Sequence, residues 1–272
     1  MNTRRFVTAA LIGLIAGITG GLFGVGGGIV VVPGLVLLLG YLPHRAHPTS
    51  VAAIVVTAAA ALVRFAADGS VDWMAALALF AGAGTGALIG VRIIDRISAR
   101  SLSGAFVVVL TVSAVRLLIP NQGSGPEAFV TSIDLTLLAL AGLLATGLAA
   151  GILAGTLGVG GGIVFVPTLA AFYLLDQHVA QGTSLAAMVP TTIVAAVMHG
   201  RAGRIDWPVS AAVGAGGIIG GLTGAGWALE LDPLLLRRLF AGLLVVVAAR
   251  MLHTRARTSV PDQPRESEEP IG

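Results

Sequence analysis

The chain has 272 residues, of which 56% are hydrophobic before its 38 glycines are counted and only 11% are charged, with a formal net charge of +3. Soluble domains are about 45–50% apolar with glycine included and about 25% charged, so this surface belongs in a lipid bilayer rather than in water. A disordered chain, a collagen-like repeat and a disulfide framework are excluded as well, the last because Cys is absent. The basic residues, all Arg, are scattered between apolar runs instead of forming a stripe, which argues against nucleic acid as a partner.

Ten uncharged apolar runs follow one another: 6–23, 29–42, 49–63, 73–91, 102–115, 135–157, 163–175, 184–198, 207–229 and 239–249. Most approach the roughly 20 residues that cross about 30 Å of hydrocarbon. The runs 29–42 and 163–175 are shorter, follow glycine clusters and contain Pro33 and Pro167, so they read as half-helices or re-entrant arms. Arg4 and Arg5 ahead of an apolar stretch resemble the start of a signal peptide, but no small-residue cleavage site precedes a soluble domain, so the first run is read as a membrane helix. The polar tail, 253–272, is expected to be disordered and cytoplasmic.

Orientation follows from charge. With the N-terminus inside and every run reversing direction, one set of connections holds Arg45, then Arg92, Arg96 and Arg100 with Asp95, then Arg201 and Arg204, then Arg250, Arg255 and Arg257. The other set holds Asp68, Asp72, Glu127, Asp134, Asp176, Glu230 and Asp232, with Arg64, Arg116, Arg237 and Arg238 as exceptions. This positive-inside pattern puts both termini in the cytoplasm.

Setting residue i against i+134 aligns 16–73 with 150–207 without a gap, at 27 identities in 58 positions. The duplication divides the chain into a first transmembrane repeat at 1–120, an inter-repeat loop at 121–132 and a second repeat at 133–252. Each half holds five runs. An odd number inverts the second half, giving an all-α polytopic membrane protein of two inverted repeats broken at Gly-rich loops. Gly82, Gly86 and Gly90 meet Gly216, Gly220 and Gly224 in the same register, a spacing that lets membrane helices pack closely.

The loops 24–28 and 158–162 carry four glycines in five positions, too many for a sound helix. Gly26, Gly27 and Gly28, with Gly160, Gly161 and Gly162, leave backbone N–H groups bare ahead of a half-helix, which makes an anion cradle without a Lys or Arg. A plain turn is the alternative for one copy, whereas two copies in inverted halves favour a substrate site. Thr49, Ser50, Thr183 and Ser184 stand where apolar runs begin, as N-caps, as hydroxyl donors to an oxyanion, or as both. Gln181 and its equivalent His47 are further candidate donors. Asp72 and Asp206, ahead of Trp73 and Trp207, read as helix caps. No metal-ligand spacing occurs, no cofactor fingerprint survives Ile29 in place of the third Gly, and no mid-helix carboxylate offers a proton relay. A membrane enzyme would need a nucleophile with a base or a metal, which the residues do not provide.

At these residues the sequence resembles the TauE/SafE family of sulfite exporters and anion permeases, also called the 4-toluene sulfonate uptake permease family. The duplicated G-x-G-G-G-x-x-x-x-P block, at 24–33 and 158–167, and the downstream Gly182-Thr183-Ser184 carry the resemblance, while Pro48 replaces that glycine in the first half. It implies a bacterial inner-membrane, multi-pass permease for sulfite, a sulfonate or a related sulfur-containing or organic anion. An anion channel and a non-transporting scaffold or receptor are the competing readings, and the oligomeric state is left open.

Overall fold

The structure, a computed structural model, describes residues 2–93, 111–112, 114–117, 130–158 and 160–257. Nine helices are named among them: α1 Thr3–Phe23, α2 Gly28–Leu39, α3 Pro43–Asp68, α4 Trp73–Ile93, α5 Leu137–Leu157, α6 Gly162–Phe172, α7 Gln177–Arg201, α8 Trp207–Glu230 and α9 Pro233–Arg257. Extended pairing among the described residues is limited to a bridge between Val130 and Leu175. Six helices, α1, α3, α4, α5, α7 and α8, are long and apolar enough to cross a bilayer. The protein is an all-α, multi-pass membrane protein, and its outer faces suit lipid: Leu137 and Leu138 are 86% and 84% exposed. Most of the run 102–115, Asp95, Arg96, Arg100 and most of the inter-repeat loop lie outside the described residues, as does the tail from 258; α9 continues through 253–257.

Several helices are longer than their apolar runs, and at α3 and α7 the extension bears on the site. The runs 49–63 and 184–198 become α3, 26 residues, and α7, 25 residues. Pro43, pre-set for a first helical turn, starts α3, and Asp176 starts α7 by accepting from the His178 N–H at 2.9 Å. The added turns carry His44, Arg45, His47, Gln177, His178 and Gln181, polar residues that a hydrophobic scan passes over. Thr49, Ser50, Thr183 and Ser184 therefore lie inside helices, not at N-caps, which corrects the capping expectation. The caps expected at Asp72 and Asp206 are present: their Oδ1 atoms accept from Ala75 N at 3.0 Å and Val209 N at 3.2 Å.

The short helices double back. At 12 and 11 residues, α2 and α6 extend about 18 and 17 Å, well short of the hydrocarbon thickness. A methyl group on Gly34 of α2 would lie 2.8 Å from the Ile12 side chain of α1, and one on Gly27 would overlap the Ala16 carbonyl oxygen, so α2 retraces α1 antiparallel. In the second half Gly161 faces the Ala150 carbonyl at 3.3 Å, and the Tyr173 hydroxyl donates to Ala139 O at 3.1 Å. Each half thus begins with a helix–glycine loop–half-helix hairpin.

Glycine stripes join the halves. A Cβ on Gly13 would overlap Val213 O, one on Gly17 would lie 2.6 Å from Gly217 O, and one on Gly21 would lie 2.6 Å from Gly221 O. These contacts climb both chains together, so α1 and α8 run parallel. The equivalent pair behaves alike: Gly82 meets Leu144 O, Gly86 meets Leu148 O, and Gly90 lies 2.6 Å from Ile152 O, which makes α4 parallel to α5. Contacts from Val56 to Gly214, Thr57 to Gly221 and Arg64 to Gly226 run α3 parallel to α8 as well. The first helix of each half is therefore laid against the fourth helix of the other, backbone to backbone, as small residues permit where no hydrophobic force separates protein from lipid.

The connections gather at two ends. At one, the Tyr41 hydroxyl donates to Asp206 Oδ2 at 2.5 Å, tying the α2–α3 connection to the α7–α8 connection near Arg5 and Arg45. Burial, then the hydrogen bond to Asp206 and that residue's charge, push the Tyr41 hydroxyl up to about 12, against the pull of the two arginines, so it keeps its proton. At the other end the Ile133 N–H donates to Asp72 Oδ2 at 2.8 Å, and the backbone of Val130 bonds Leu174 and Asp176.

Candidate functional site

The glycines of the two loops adopt matching conformations. Gly24, Gly26 and Gly27 have φ of 70°, 70° and 85°, and Gly158, Gly160 and Gly161 have 69°, 82° and 83°. Three left-handed positions in four residues require glycine. Gly27 and Gly161 precede the half-helices as N-caps without a side-chain bond, so the N–H groups of Gly28 and Ile29, and of Gly162 and Ile163, have no intrahelical acceptor, whereas those of Val30 and Val164 bond the Gly27 and Gly161 carbonyls at 3.0 and 2.9 Å.

The loops converge on the same two side chains. A Cβ on Gly26 would lie 2.8 Å from Met188 Sδ and 3.0 Å from Ile54 Cγ2; one on Gly160 would lie 2.7 and 3.3 Å from the same atoms. A Cβ on Gly162 would lie 2.8 Å from both Met188 Cε and Val25 Cα. Ile54 and Met188 occupy equivalent positions, each the twelfth residue of its helix, so the meeting point is near the midpoints of α3 and α7. Nothing in the sequence marks these two apolar residues except their shared place in the repeat.

The hydroxyls cross between halves. Ser50 Oγ donates to Gly158 O at 3.0 Å, and Ser184 Oγ donates to Gly24 O at 2.9 Å. Thr49 Oγ1 accepts from Asp206 N at 3.1 Å, and Thr183 Oγ1 accepts from Asp72 N at 2.9 Å. Each half's Thr-Ser pair therefore holds the other half's glycine loop and the start of its fourth helix. The two serine protons are directed at loop carbonyls in this conformation, while the two threonines are drawn away toward the bundle ends. A Cβ on Gly182 would overlap Ser70 O, so this glycine admits the α3–α4 turn against α7.

Gln181 differs from these satisfied groups. It is fully buried, its backbone lies against Gly24, and neither Nε2 nor Oε1 has a hydrogen-bond partner. Leaving a buried amide atom unpaired costs about 1–3 kcal/mol. His47, the equivalent residue, packs in the same way against Gly158.

The histidines form no metal-ligand set among the described residues. His178 Nε2 pairs with Ala228 O at 2.9 Å, buried His199 Nε2 pairs with Gly155 O at 3.1 Å, and no three metal-ligating side chains cluster among the described residues. Asp72, buried and bonded through both oxygens to backbone N–H groups, is held as a structural anchor. Asp72→Asn, which has one acceptor where two are used, is expected to lower stability by about 1–3 kcal/mol, read as a lower melting temperature; a variant that melts like wild type would remove Asp72 from the structural account.

A multi-pass bundle in which duplicated broken-helix hairpins bring two glycine loops together halfway along the spanning helices has the architecture of a membrane transporter. The comparisons with known proteins agree. The chain matches the Sulfite exporter TauE/SafE family over residues 9–147 and again over 143–272, and it belongs to that family. It is 26% identical to the probable membrane transporter protein YunE of Bacillus subtilis over 271 residues, covering 91% of this chain and 97% of the relative. A probable membrane transporter protein of Xylella fastidiosa is 31% identical over 255 residues, covering 92% and 95%. The probable membrane transporter protein MamO of Magnetospirillum gryphiswaldense is 28% identical over 280 residues, 90% of this chain and 44% of that longer protein. No solved structure matches the chain.

Proposed function

We propose that the chain is a secondary transporter that moves a small anion, sulfite, a sulfonate or a related sulfur-containing or organic anion, by alternating access at the meeting point of the two loops. The observation that carries this reading is Gln181: a fully buried carboxamide with two bare polar atoms, set against the loop whose glycines open the start of α2. Backbone N–H groups and a neutral amide suit an anion in a site that supplies no cation. Gly26, Gly27, Gly28, Gly160, Gly161 and Gly162 form the cradle, Gln181 donates to it, and Ser50 and Ser184 set its two halves. Thr49 and Thr183 act one step further out, by fixing the helices that carry the loops. Met188 and Ile54 fill the space between the loops, as befits an occluded form. Exchange of their packing between the halves would expose the site to one side and then the other.

The family name and the relatives' description as transporters support transport over catalysis. A ligand that binds only the folded protein raises its apparent stability. A thermal-shift screen of purified protein against sulfite, sulfate, thiosulfate, 4-toluenesulfonate and carboxylates, followed by counterflow in proteoliposomes, therefore tests the reading. Saturable, trans-stimulated exchange is expected. Non-saturating flux would mean a channel, and no flux with any anion would leave a scaffold or receptor.

Inversion of the halves across a bacterial inner membrane, with both termini cytoplasmic, is part of the same proposal. It is supported by the parallel pairs α1/α8, α3/α8 and α4/α5 together with the short α3–α4 turn. The chain has no Cys, so single cysteines report cleanly. Ala202→Cys is expected to be labelled from the cytoplasm and Asp68→Cys from the opposite side. Labelling of both from one face would sink the inversion.

A further inference from the structure

We infer that His199 is a proton-binding site linked to anion occupancy of the loop 158–162, which makes the proton the ion that transport is coupled to. The inference rests on the anion-transport reading above and assigns its coupling. His199 stands two residues before the end of α7, is 1% exposed, and reaches α5, with Nε2 3.1 Å from Gly155 O. A carbonyl oxygen only accepts, so Nε2 carries the hydrogen of the neutral ring and Nδ1 presents its lone pair. That atom is buried and has no hydrogen-bond partner. More than nine in ten buried polar groups have one. The imidazole is thus fixed at one nitrogen and holds a vacant proton acceptor at the other.

The ring is set beside the loop. Gly155 is three residues, about 4.5 Å of helix, ahead of Gly158, whose carbonyl accepts from the Ser50 hydroxyl at 3.0 Å. The Gly155 carbonyl belongs to the last turn of α5, where the peptide dipoles accommodate a positive charge. Among the described residues, the titratable or charged groups that act on the ring are His47, on α3 with its backbone against Gly158, and Arg204, in the α7–α8 connection. From α4 come Ala87 and Val91, in one apolar cluster with Ala195, Ala196 and Ile205. This set contains no carboxylate, so the counter-charge to a proton on His199 is the anion itself. An anion on the N–H groups of Gly162 and Ile163 attracts the imidazolium and not the neutral ring, so proton and anion each raise the other's affinity. One N–H bond forms at Nδ1 as the anion binds and breaks as it leaves, the proton coming from water and returning to it.

The repeat makes the site single. The residue equivalent to His199 is Phe65, fully buried in α3. One half carries a ring that titrates and the other a ring that does not, so one proton accompanies each anion. The bond to Gly155 alone would make His199 a cap for the end of α5; proton uptake at Nδ1 separates the two roles.

The full chain tests this with 4-toluenesulfonate and, in parallel, sulfate, both of which stay ionised across the range from about pH 5 to about pH 8 in which histidine titrates. Wild type is expected to bind the anion about tenfold more tightly at the acid end, to take up about one proton per anion, and in proteoliposomes to accumulate the anion when a pH gradient is imposed. His199→Phe installs the residue of the other half, and His199→Gln keeps an N–H for Gly155 O. Both variants are expected to lose the pH dependence of affinity, the proton uptake and the gradient-driven accumulation. A lowered melting temperature with the wild-type pH profile and proton uptake would assign His199 to capping and overturn the site. Wild-type affinity that is the same at both ends of the pH range overturns it as well, and leaves the central anion site standing. Wild-type proteoliposomes that move neither anion overturn the transport reading itself.

Discussion

Alanine at Gly216 is expected to cost the protein more than about 3 kcal/mol of stability. The new methyl would overlap the carbonyl oxygen of Ala10 and lie 2.8 Å from its carbon and 2.9 Å from Leu14 N, all backbone atoms of α1 that cannot rotate aside. Overpacking a core typically costs about 1–3 kcal/mol, and more where the neighbours are rigid; the whole fold is worth about 5–15. Because α1 and α8 touch through stacked glycines, one forced separation loosens Gly220 and Gly224 as well, and a loss beyond 3 kcal/mol is the expected outcome on the same principle. Gly242→Ala in α9 is the control. Among the described residues no atom outside its own helix backbone lies within 4 Å of its added methyl, so relief of a helix-interior glycine should raise stability by up to about 1 kcal/mol. Melting of the two variants in one detergent decides the matter, and equal stability would remove the glycine stripes from the account of the fold.

Leucine at Gln181 is expected to make the protein more stable and nearly inactive. Leucine keeps the bulk of the side chain while deleting two buried, unpartnered polar atoms, so the occluded form should gain about 1–3 kcal/mol. The same deletion removes a side-chain donor that has no partner and stands against the loop 24–28, and anion affinity should fall at least about tenfold, the effect of one lost hydrogen bond to a charged group. Opposite signs in the two measurements separate a ligand donor from a packing residue. A Gln181→Leu variant that melts lower than wild type, or that binds anion unchanged, would sink the assignment. Glycine variants must be chosen with similar care. A side chain at Gly27 runs into the Ala16 carbonyl, so loss of binding there reports folding. Gly161 has its nearest neighbours at 3.3 Å, so alanine meets mainly the strain of φ 83°, about 1–2 kcal/mol, and is the cleaner probe of the cradle.

Much of this was legible in the sequence. Charge depletion put the chain in lipid, because composition decides solvation before any contact forms. The 134-residue register identified the two loops and the broken helices after them, because glycine runs break helices by local entropy and need no partner to do so. Asp72 and Asp206 were readable as caps for the same reason: the bond joins residues three apart. What depended on distant partners was hidden. Thr49, Ser50, Thr183 and Ser184 looked like caps, yet they sit inside helices, and their hydroxyls reach across 108 to 160 residues of chain to the other half. Met188 and Ile54 carry no chemical signal at all, and Gln177 stood in a segment that local polarity marked as a connection. Periodicity and propensity describe a residue's neighbours along the chain. Which hydroxyl is satisfied and which amide is left bare depends on how the two halves interlock, and only the tertiary structure decided that.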